Sequence, residues 1–213
     1  MQLAIKRLMD ITASLLILTL GLPVLAVTYV IVRLQMGSPV LFKQERIGLN
    51  GKPFTLYKFR SMKNAFDKDG RPLPDDQRLT SFGKILRSTS LDELPEIWSI
   101  LKGEMSLIGP RPLLPEYMDY YSETEKRRHN MRPGLTGLAQ VNGRNAQTWD
   151  QRLAYDVEYV DNWNIAIDLK ILLATVKVVL SRQGVEAEDH VTMPRFDDYV
   201  RGGRKQPHTE IMS

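Results

Sequence analysis

Residues 11–32 read ITASLLILTLGLPVLAVTYVIV, a run of 22 positions without a charge. A helix needs about 20 apolar residues to enter and cross a hydrocarbon core of ~30 Å, so this run is long enough for a membrane. Lys6 and Arg7 precede it and Arg33 follows. A cleavable signal peptide fits poorly, because the run is long and no small-residue cleavage site follows it. The downstream flank carries Lys43, Arg46, Lys52, Lys58, Arg60 and Lys63. That bias places the following domain in the cytoplasm. Pro23 stands just past the middle of the run, with Gly21 two residues before it. Proline removes a backbone donor and crowds the preceding turn. Two shapes fit. Hydropathy alone favours a slightly kinked spanning helix. Basic residues at both ends fit a helix broken at Pro23 that dips into one leaflet and returns to the same interface.

The 181 positions after this run are enough for one catalytic domain. There is no cysteine, which excludes disulfides, thiolate chemistry and Cys-based metal sites. The histidines are His129, His190 and His208, so a His-rich metal site is not expected. A net charge of +4 fits anionic partners, whether phosphate substrates, anionic lipid or nucleic acid, without choosing among them.

Pro39–Phe42 is a short extended run, residues 48–52 carry an Asn-Gly turn signal, and residues 54–60 alternate with Phe54, Leu56 and Lys58 on one side. A β-hairpin is predicted there. Residues 65–77 are polar and read as a loop; Asp67 and Asp69 resemble the start of a calcium loop whose later ligands are missing. Helices are predicted over 78–87 and from Ser90 to Gly103, the second with Leu94, Ile97, Trp98 and Leu101 as its apolar stripe. A Pro-rich loop spans 106–115, a polar helix 116–130, and a Gly-rich loop 132–144. Helices follow over 148–163 and 166–182. The last is apolar over a wide arc, suited to core packing or to a membrane surface. The stretch after Gly184 reads as irregular.

Chemistry concentrates in RSTSLDELP (87–95). Ser90 and Glu93 have capping-box spacing, which puts Asp92 in the first helical turn. The bland reading is that Asp92 and Glu93 only complement the helix dipole. The sharper one is that an ionised Asp92 is a nucleophile toward phosphorus, with the adjacent carboxylate sharing metal binding or base work. Arg87 upstream and Arg111 downstream suit phosphate. Pro110 and Pro112 flank Arg111 and limit where it can point. Lys58 and Arg60, taken alone, read as a solvated strand face, and the basic cluster over 126–132 as a solvated or lipid-facing helix end.

KFRSM (58–62), RLTSFGKILRSTSLDELPEIWSILKGEMSLIGPRP (78–112), RPGLTGLAQVNGR (132–144) and YDVEYVDNW (155–163) resemble the monotopic polyprenyl-phosphate phosphoglycosyl transferases, the bacterial sugar transferase family. The charge-apolar-Pro segment at the N-terminus matches too, so the resemblance covers essentially the whole chain. It implies an α/β mixed, mostly helical fold. A re-entrant membrane helix broken at Pro23 occupies 1–35, a cytoplasmic catalytic domain with interfacial amphipathic helices and a short hairpin 36–184, and an irregular tail 185–213. The chain departs from the pattern at Leu22, where members often carry Ser before the helix-breaking proline, so the break is expected to be supported differently here or to be less sharp.

The resemblance also implies a two-step reaction at the cytoplasmic face of a bacterial inner membrane. Asp92 attacks the β-phosphate of a UDP-sugar, UMP leaves, and polyprenyl phosphate, deprotonated with help from Glu93, takes the phospho-sugar. Mg2+ bridges Asp92 and the diphosphate. Arg111 holds a phosphate, and Lys58, Arg60, Arg87 and Arg144 contact phosphate or uridine. The short length and the tail GVEAEDHVTMPRF (184–196) look most like the enzymes that load diacetylbacillosamine-1-phosphate; relatives use UDP-N-acetylgalactosamine, UDP-galactose or UDP-glucose. The expected partners are a UDP-sugar, a polyprenyl phosphate and the phospholipid membrane, with no nucleic acid; a homodimer is an open assembly. The rival classes are a membrane-tethered binding module without catalysis and a basic protein that binds nucleic acid or anionic lipid.

Overall fold

Helix α1 runs from Gln2 to Met36 as one 35-residue helix with Pro23 inside it, in a computed structural model that describes residues 1–143, 147–181 and 195–203. The expected break at Pro23 is not a gap in the helix. Proline withdraws one donor, which would have paired with the Thr19 carbonyl, and packing on either side holds the rest of the ladder. Lys6, Asp10, Ser14, Thr28, Val32 and Met36 are buried. Ile17 and Leu18 pack against Phe54, Leu56, Ile97, Ile100 and Met105. Leu25 packs with Val40, Phe59 and Leu86. These positions recur at helical spacing, so one stripe of α1 lies along the domain. The other face leaves Leu8, Leu15, Leu16, Leu20, Leu22, Val27 and Val30 exposed.

Strands β1 (Leu41–Ile47) and β2 (Pro53–Phe59) form the predicted hairpin, antiparallel with Leu41 opposite Phe59 and Ile47 opposite Pro53. Its turn needs left-handed backbone at Asn50 (φ 55) and Gly51 (φ 74), residue types that tolerate it. On β2, Phe54 and Leu56 bury one face. The two-residue period carries that face on to Lys58.

Helices α2 (Asp75–Arg78) and α3 (Ser81–Ser88) follow, the latter capped by Thr80 Oγ1, which accepts from the Gly83 amide at 2.9 Å. A 3-10 turn over Leu91–Glu96 runs into α4 (Ile97–Lys102), and Gly103 closes it in left-handed conformation. The buried side of α4 is Ile97 and Ile100, whereas Trp98 stays 58% exposed. The predicted stripe is thus rotated, because the 3-10 turn winds more tightly than an α-helix.

Strand β3 (Ser106–Ile108) pairs in parallel with β4 (Gly134–Thr136). The polar helix predicted over 116–130 is three short pieces: a 3-10 turn at Pro115–Tyr120, α5 (Glu123–Lys126), and a 3-10 turn at Arg127–Asn130. Ser122 stands extended and starts afresh with a capping box to Glu125. Arg128 is buried rather than solvated. Helices α6 (Leu138–Val141), α7 (Trp149–Asn162) and α8 (Ile165–Ser181) complete the domain. Helix α8 buries Asp168 and Ile171 and leaves Leu169, Leu172, Leu173 and Val176 exposed. Within the stretch read as irregular, Phe196–Arg201 is a helix, α9. Phe196 is fully buried among Tyr117, Tyr121 and Trp149, and that aromatic cluster orders the segment.

Charged residues lash α1 down. Lys6 Nζ lies 2.7 Å from Asp168 Oδ2 and donates to the Ile108 carbonyl at 2.9 Å. Arg7 donates to the carbonyls of Ile100 (2.6 Å) and Leu101 (2.8 Å) near the end of α4. Asp10 Oδ1 accepts from Ser106 Oγ and the Leu107 amide, both at 2.9 Å.

Candidate active site

Three elements converge on Asp92 and Glu93: strand β2, the 3-10 turn before α4, and the loop after β3. Ser90 adopts left-handed backbone (φ 56) and makes no side-chain cap. The capping box expected between Ser90 and Glu93 therefore does not form. The physical reason is competition, since two cations take the Glu93 carboxylate. Lys58 Nζ and Arg111 Nη2 each donate to Glu93 Oε1 at 2.7 Å. Charge-assisted bonds of this kind outweigh a neutral cap.

Lys58 Nζ also lies 3.0 Å from Glu96 Oε1. Glu96 is 2% exposed, so the contact is a buried ion pair. Arg46 lines the same small pocket together with Leu56, Lys58, Glu96, Arg111 and Pro112. Among the described residues Asp92 makes no hydrogen bond or ion pair, yet Lys58, Arg87 and Arg111 all act on it electrostatically.

Titration separates the pair. Burial, then the Glu93 charge, pushes Asp92 up to about 6, against the pull of the three cations. Glu93 is held well below the usual carboxylate range: burial opposes ionisation, and Arg111 and Lys58 together outweigh it. Glu96 is pushed up to about 7, chiefly by burial, with Lys58 opposing and Glu93 adding to the rise. The site thus holds one carboxylate locked as an anion, one unpartnered carboxylate that is ionised near neutrality, and one buried carboxylate near its midpoint.

The loop bearing Arg111 is rigid. The Gly109 amide donates to the Thr136 carbonyl and the Gly134 amide to the Pro110 carbonyl, each at 2.9 Å. A Cβ on Gly134 would sit 2.1 Å from the Gly109 nitrogen, so only glycine permits this approach. The Arg111 carbonyl accepts from Arg128 Nη2 at 2.6 Å, and Arg128 is itself held by Asp156 Oδ2 at 2.7 Å. Arg46 Nη1 donates to the Pro112 carbonyl at 3.3 Å. Proline stiffness, read from the sequence, is joined by these bonds.

The structure brings Lys58, Asp92, Glu93 and Arg111 together. Arg87 is anchored through Nε to Ser61 Oγ at 3.0 Å. That places it beside α3's close contact with Ser61, where a Cβ on Gly83 would lie 1.9 Å from the Ser61 carbonyl oxygen. Arg60 is buried and donates to the Pro39 carbonyl at 2.7 Å rather than to the carboxylates. Arg144 lies outside the described residues. Glu96, Arg46 and the Arg128–Asp156 pair were not singled out from the sequence. A signal existed for Glu96, which follows Asp92 by four and Glu93 by three. Arg46 is marked by facing Phe54 across the hairpin. Among the described residues no group of three or more His, Asp or Glu is arranged to hold a metal.

The family model described as bacterial sugar transferase matches residues 1–182. An uncharacterized sugar transferase of Bacillus subtilis, EpsL, is 51% identical over 90% of this chain and 95% of its own length. A UDP-glucose:undecaprenyl-phosphate glucose-1-phosphate transferase of Caulobacter vibrioides is 40% identical, over 83% of this chain and 70% of that protein. The undecaprenyl-phosphate galactose phosphotransferase of Salmonella typhimurium is 38% identical over 84% of this chain, which spans only 41% of that protein.

Proposed function

This chain belongs to the bacterial sugar transferase family, and on that premise we propose that it transfers a sugar-1-phosphate from a UDP-sugar to undecaprenyl phosphate with release of UMP. The observation that carries the reading is Asp92: an unpartnered carboxylate, ionised near neutrality, beside three cations suited to phosphate. Relatives named for glucose and galactose transfer to the same lipid support the reaction class.

In the first step an Asp92 carboxylate oxygen attacks the donor's β-phosphorus. The bond to the bridging oxygen breaks and UMP leaves with that electron pair. In the second, a phosphate oxygen of the lipid attacks the same phosphorus and displaces the carboxylate, giving a lipid diphospho-sugar. Glu93 takes the acceptor's proton where the acceptor arrives protonated. Arg111 and Lys58 turn from Glu93 to the phosphoryl oxygens. A free carboxylate fits a magnesium ion carried mainly by diphosphate oxygens, as this cation prefers, with Asp92 supplying the protein ligand. Bound there, magnesium neutralises charge on the diphosphate.

The donor suggested by the tail is UDP-diacetylbacillosamine, but residues 184–194 of that stretch lie outside the described residues. UDP-glucose, UDP-galactose and UDP-N-acetylgalactosamine are the alternatives.

The domain is proposed to sit monotopically on the cytoplasmic face of the inner membrane. The longest stretch of α1 between residues packed on the domain is Leu18 to Leu25, about 10 Å at ~1.5 Å per residue. That is too short for a core of ~30 Å. The exposed apolar faces of α1 and α8 suit one leaflet.

The test is UMP release from a panel of UDP-sugars with magnesium and undecaprenyl phosphate. Lipid-dependent release with at least one donor is expected. Absence of release across the panel, with binding of UDP-sugar retained, contradicts transfer and favours the binding module.

A further inference from the structure

A second cavity, of about 270 Å3, lies at the start of α1. It opens beside the hairpin turn at Asn50. Lys58 stands near the far end of β2, about 17 Å along the strand from Pro53 at ~3.3 Å per residue. The volume falls just short of the ~300 Å3 at which small-molecule sites begin, which suits a headgroup rather than a nucleotide-sugar. Two guanidiniums converge on its wall at Gly103. Arg132 Nε donates to the Gly103 carbonyl at 2.8 Å, and Arg7 Nη2 lies 3.4 Å from where a Cβ on that glycine would stand. Arg7 gives both Nη groups to the carbonyls of Ile100 and Leu101. Capping the last turn of α4 therefore accounts for Arg7 and for Nε of Arg132. It does not account for the two Nη groups of Arg132, which make no hydrogen bond among the described residues. Lys6 also lines the cavity, but Asp168 neutralises it. Asp10 faces the same space, with Oδ1 taken by Ser106 and Leu107. Two guanidiniums against one carboxylate leave the wall positive, and partly buried like charges side by side favour an anion between them.

We propose that this cavity binds the phosphate of a membrane phospholipid, held by the uncommitted Nη groups of Arg132 and by the charge of Arg7. This rests on the membrane placement proposed above and is separate from the transfer reaction. The depth fits. Charge on α1 ends at Asp10, and the uncharged run begins at Ile11, so the cavity lies at the level where headgroups meet hydrocarbon. Leu3 lines it and is 60% exposed, which gives an acyl chain apolar surface beside the phosphate. A guanidinium fork matches the two unesterified oxygens of a phosphodiester. Bound there, the lipid fixes the start of α1 against the end of α4.

The experiment is native mass spectrometry of the full chain in detergent, titrated with dihexanoyl phosphatidylglycerol and, separately, with inorganic phosphate. Four chains are compared: wild type, Arg132→Gln, Asn130→Asp and Lys68→Gln. Asn130 lines the cavity and is exposed, and its side chain makes no hydrogen bond among the described residues, so the aspartate adds a repelling charge without touching the α4 cap. Lys68 lies in the exposed polar loop and changes the net charge by the same amount. Wild type is expected to retain one lipid. Arg132→Gln and Asn130→Asp should each bind it about tenfold more weakly, the loss expected for one charge-assisted contact. Lys68→Gln should match wild type. Equal affinity in all four chains, or no retained lipid on wild type, overturns the proposal. Inorganic phosphate that displaces the lipid at comparable concentration marks a free-anion site and also overturns it. If Arg132→Gln fails to fold, Asn130→Asp against Lys68→Gln carries the same test. None of these outcomes depends on UMP release, so the transfer reading stands or falls separately.

Discussion

Arg111 and Glu93 stand 18 positions apart in the chain, yet the guanidinium Nη2 and carboxylate Oε1 meet at 2.7 Å. That pairing shapes the site. It pins Glu93 as an anion and leaves its neighbour Asp92 as the unpartnered carboxylate. The backbone holding Arg111 is fixed from behind by Arg128, so the contact is built into the fold.

Replacing Arg111 by lysine keeps the charge and loses the planar fork. Donor kcat/KM is expected to fall at least about tenfold, equivalent to ~1.4 kcal/mol. Steady-state kinetics with the best donor measure this; unchanged kcat and KM contradict the phosphate-holding role.

Arg128 and Asp156 are both almost completely buried, 2.7 Å apart. Asp156→Ala strands a guanidinium in the interior, which costs about 3–5 kcal/mol. Denaturant unfolding should show that loss, and activity should fall with it because Arg128 carries the Arg111 carbonyl. A change below about 1 kcal/mol means Arg128 finds water instead.

His129 is buried against Tyr121, and burial, helped by the Arg128 cation, pushes its imidazole from 6.5 down to about 3. The folded state therefore favours neutral histidine, whereas the unfolded chain takes a proton near 6.5. Stability from this group is complete above 6.5 and drains away as pH falls toward 3. His129→Phe should flatten Tm against pH over that window relative to wild type. Parallel curves would mean that His129 charges in the folded state.

The absence of cysteine makes topology easy to probe, since single introduced thiols report alone. Leu3→Cys and Gln35→Cys, both at exposed positions flanking the long apolar run, should be labelled by an impermeant reagent from the cytoplasmic side only. Labelling from opposite sides would establish a spanning helix.

Much of this was legible in the chain. The hairpin followed from alternation and an Asn-Gly turn, and the same alternation aimed Lys58 where Phe54 and Leu56 point. Asp92, Glu93 and Arg111 announced themselves through local spacing and flanking prolines. What stayed hidden was tertiary competition. Ser90 has capping-box spacing, but cations from two distant segments claim Glu93. Arg128 sits in a basic cluster that reads as surface until Asp156, 28 positions on, neutralises it. Trp98 looked like core because a 3-10 turn cannot be told from an α-helix by spacing over six residues. Phe196 belongs to a polar, unpatterned stretch, and its order comes from an aromatic cage assembled from two other segments.

Intact-protein mass spectrometry tests the central claim most directly. The purified chain is mixed with magnesium and each UDP-sugar, without lipid acceptor. The account predicts a mass gain of one phospho-sugar with the productive donor, absent in Asp92→Asn and discharged when undecaprenyl phosphate is added. Lipid-dependent UMP release that persists undiminished in Asp92→Asn, with no adduct on the wild-type chain, would contradict Asp92 as the nucleophile.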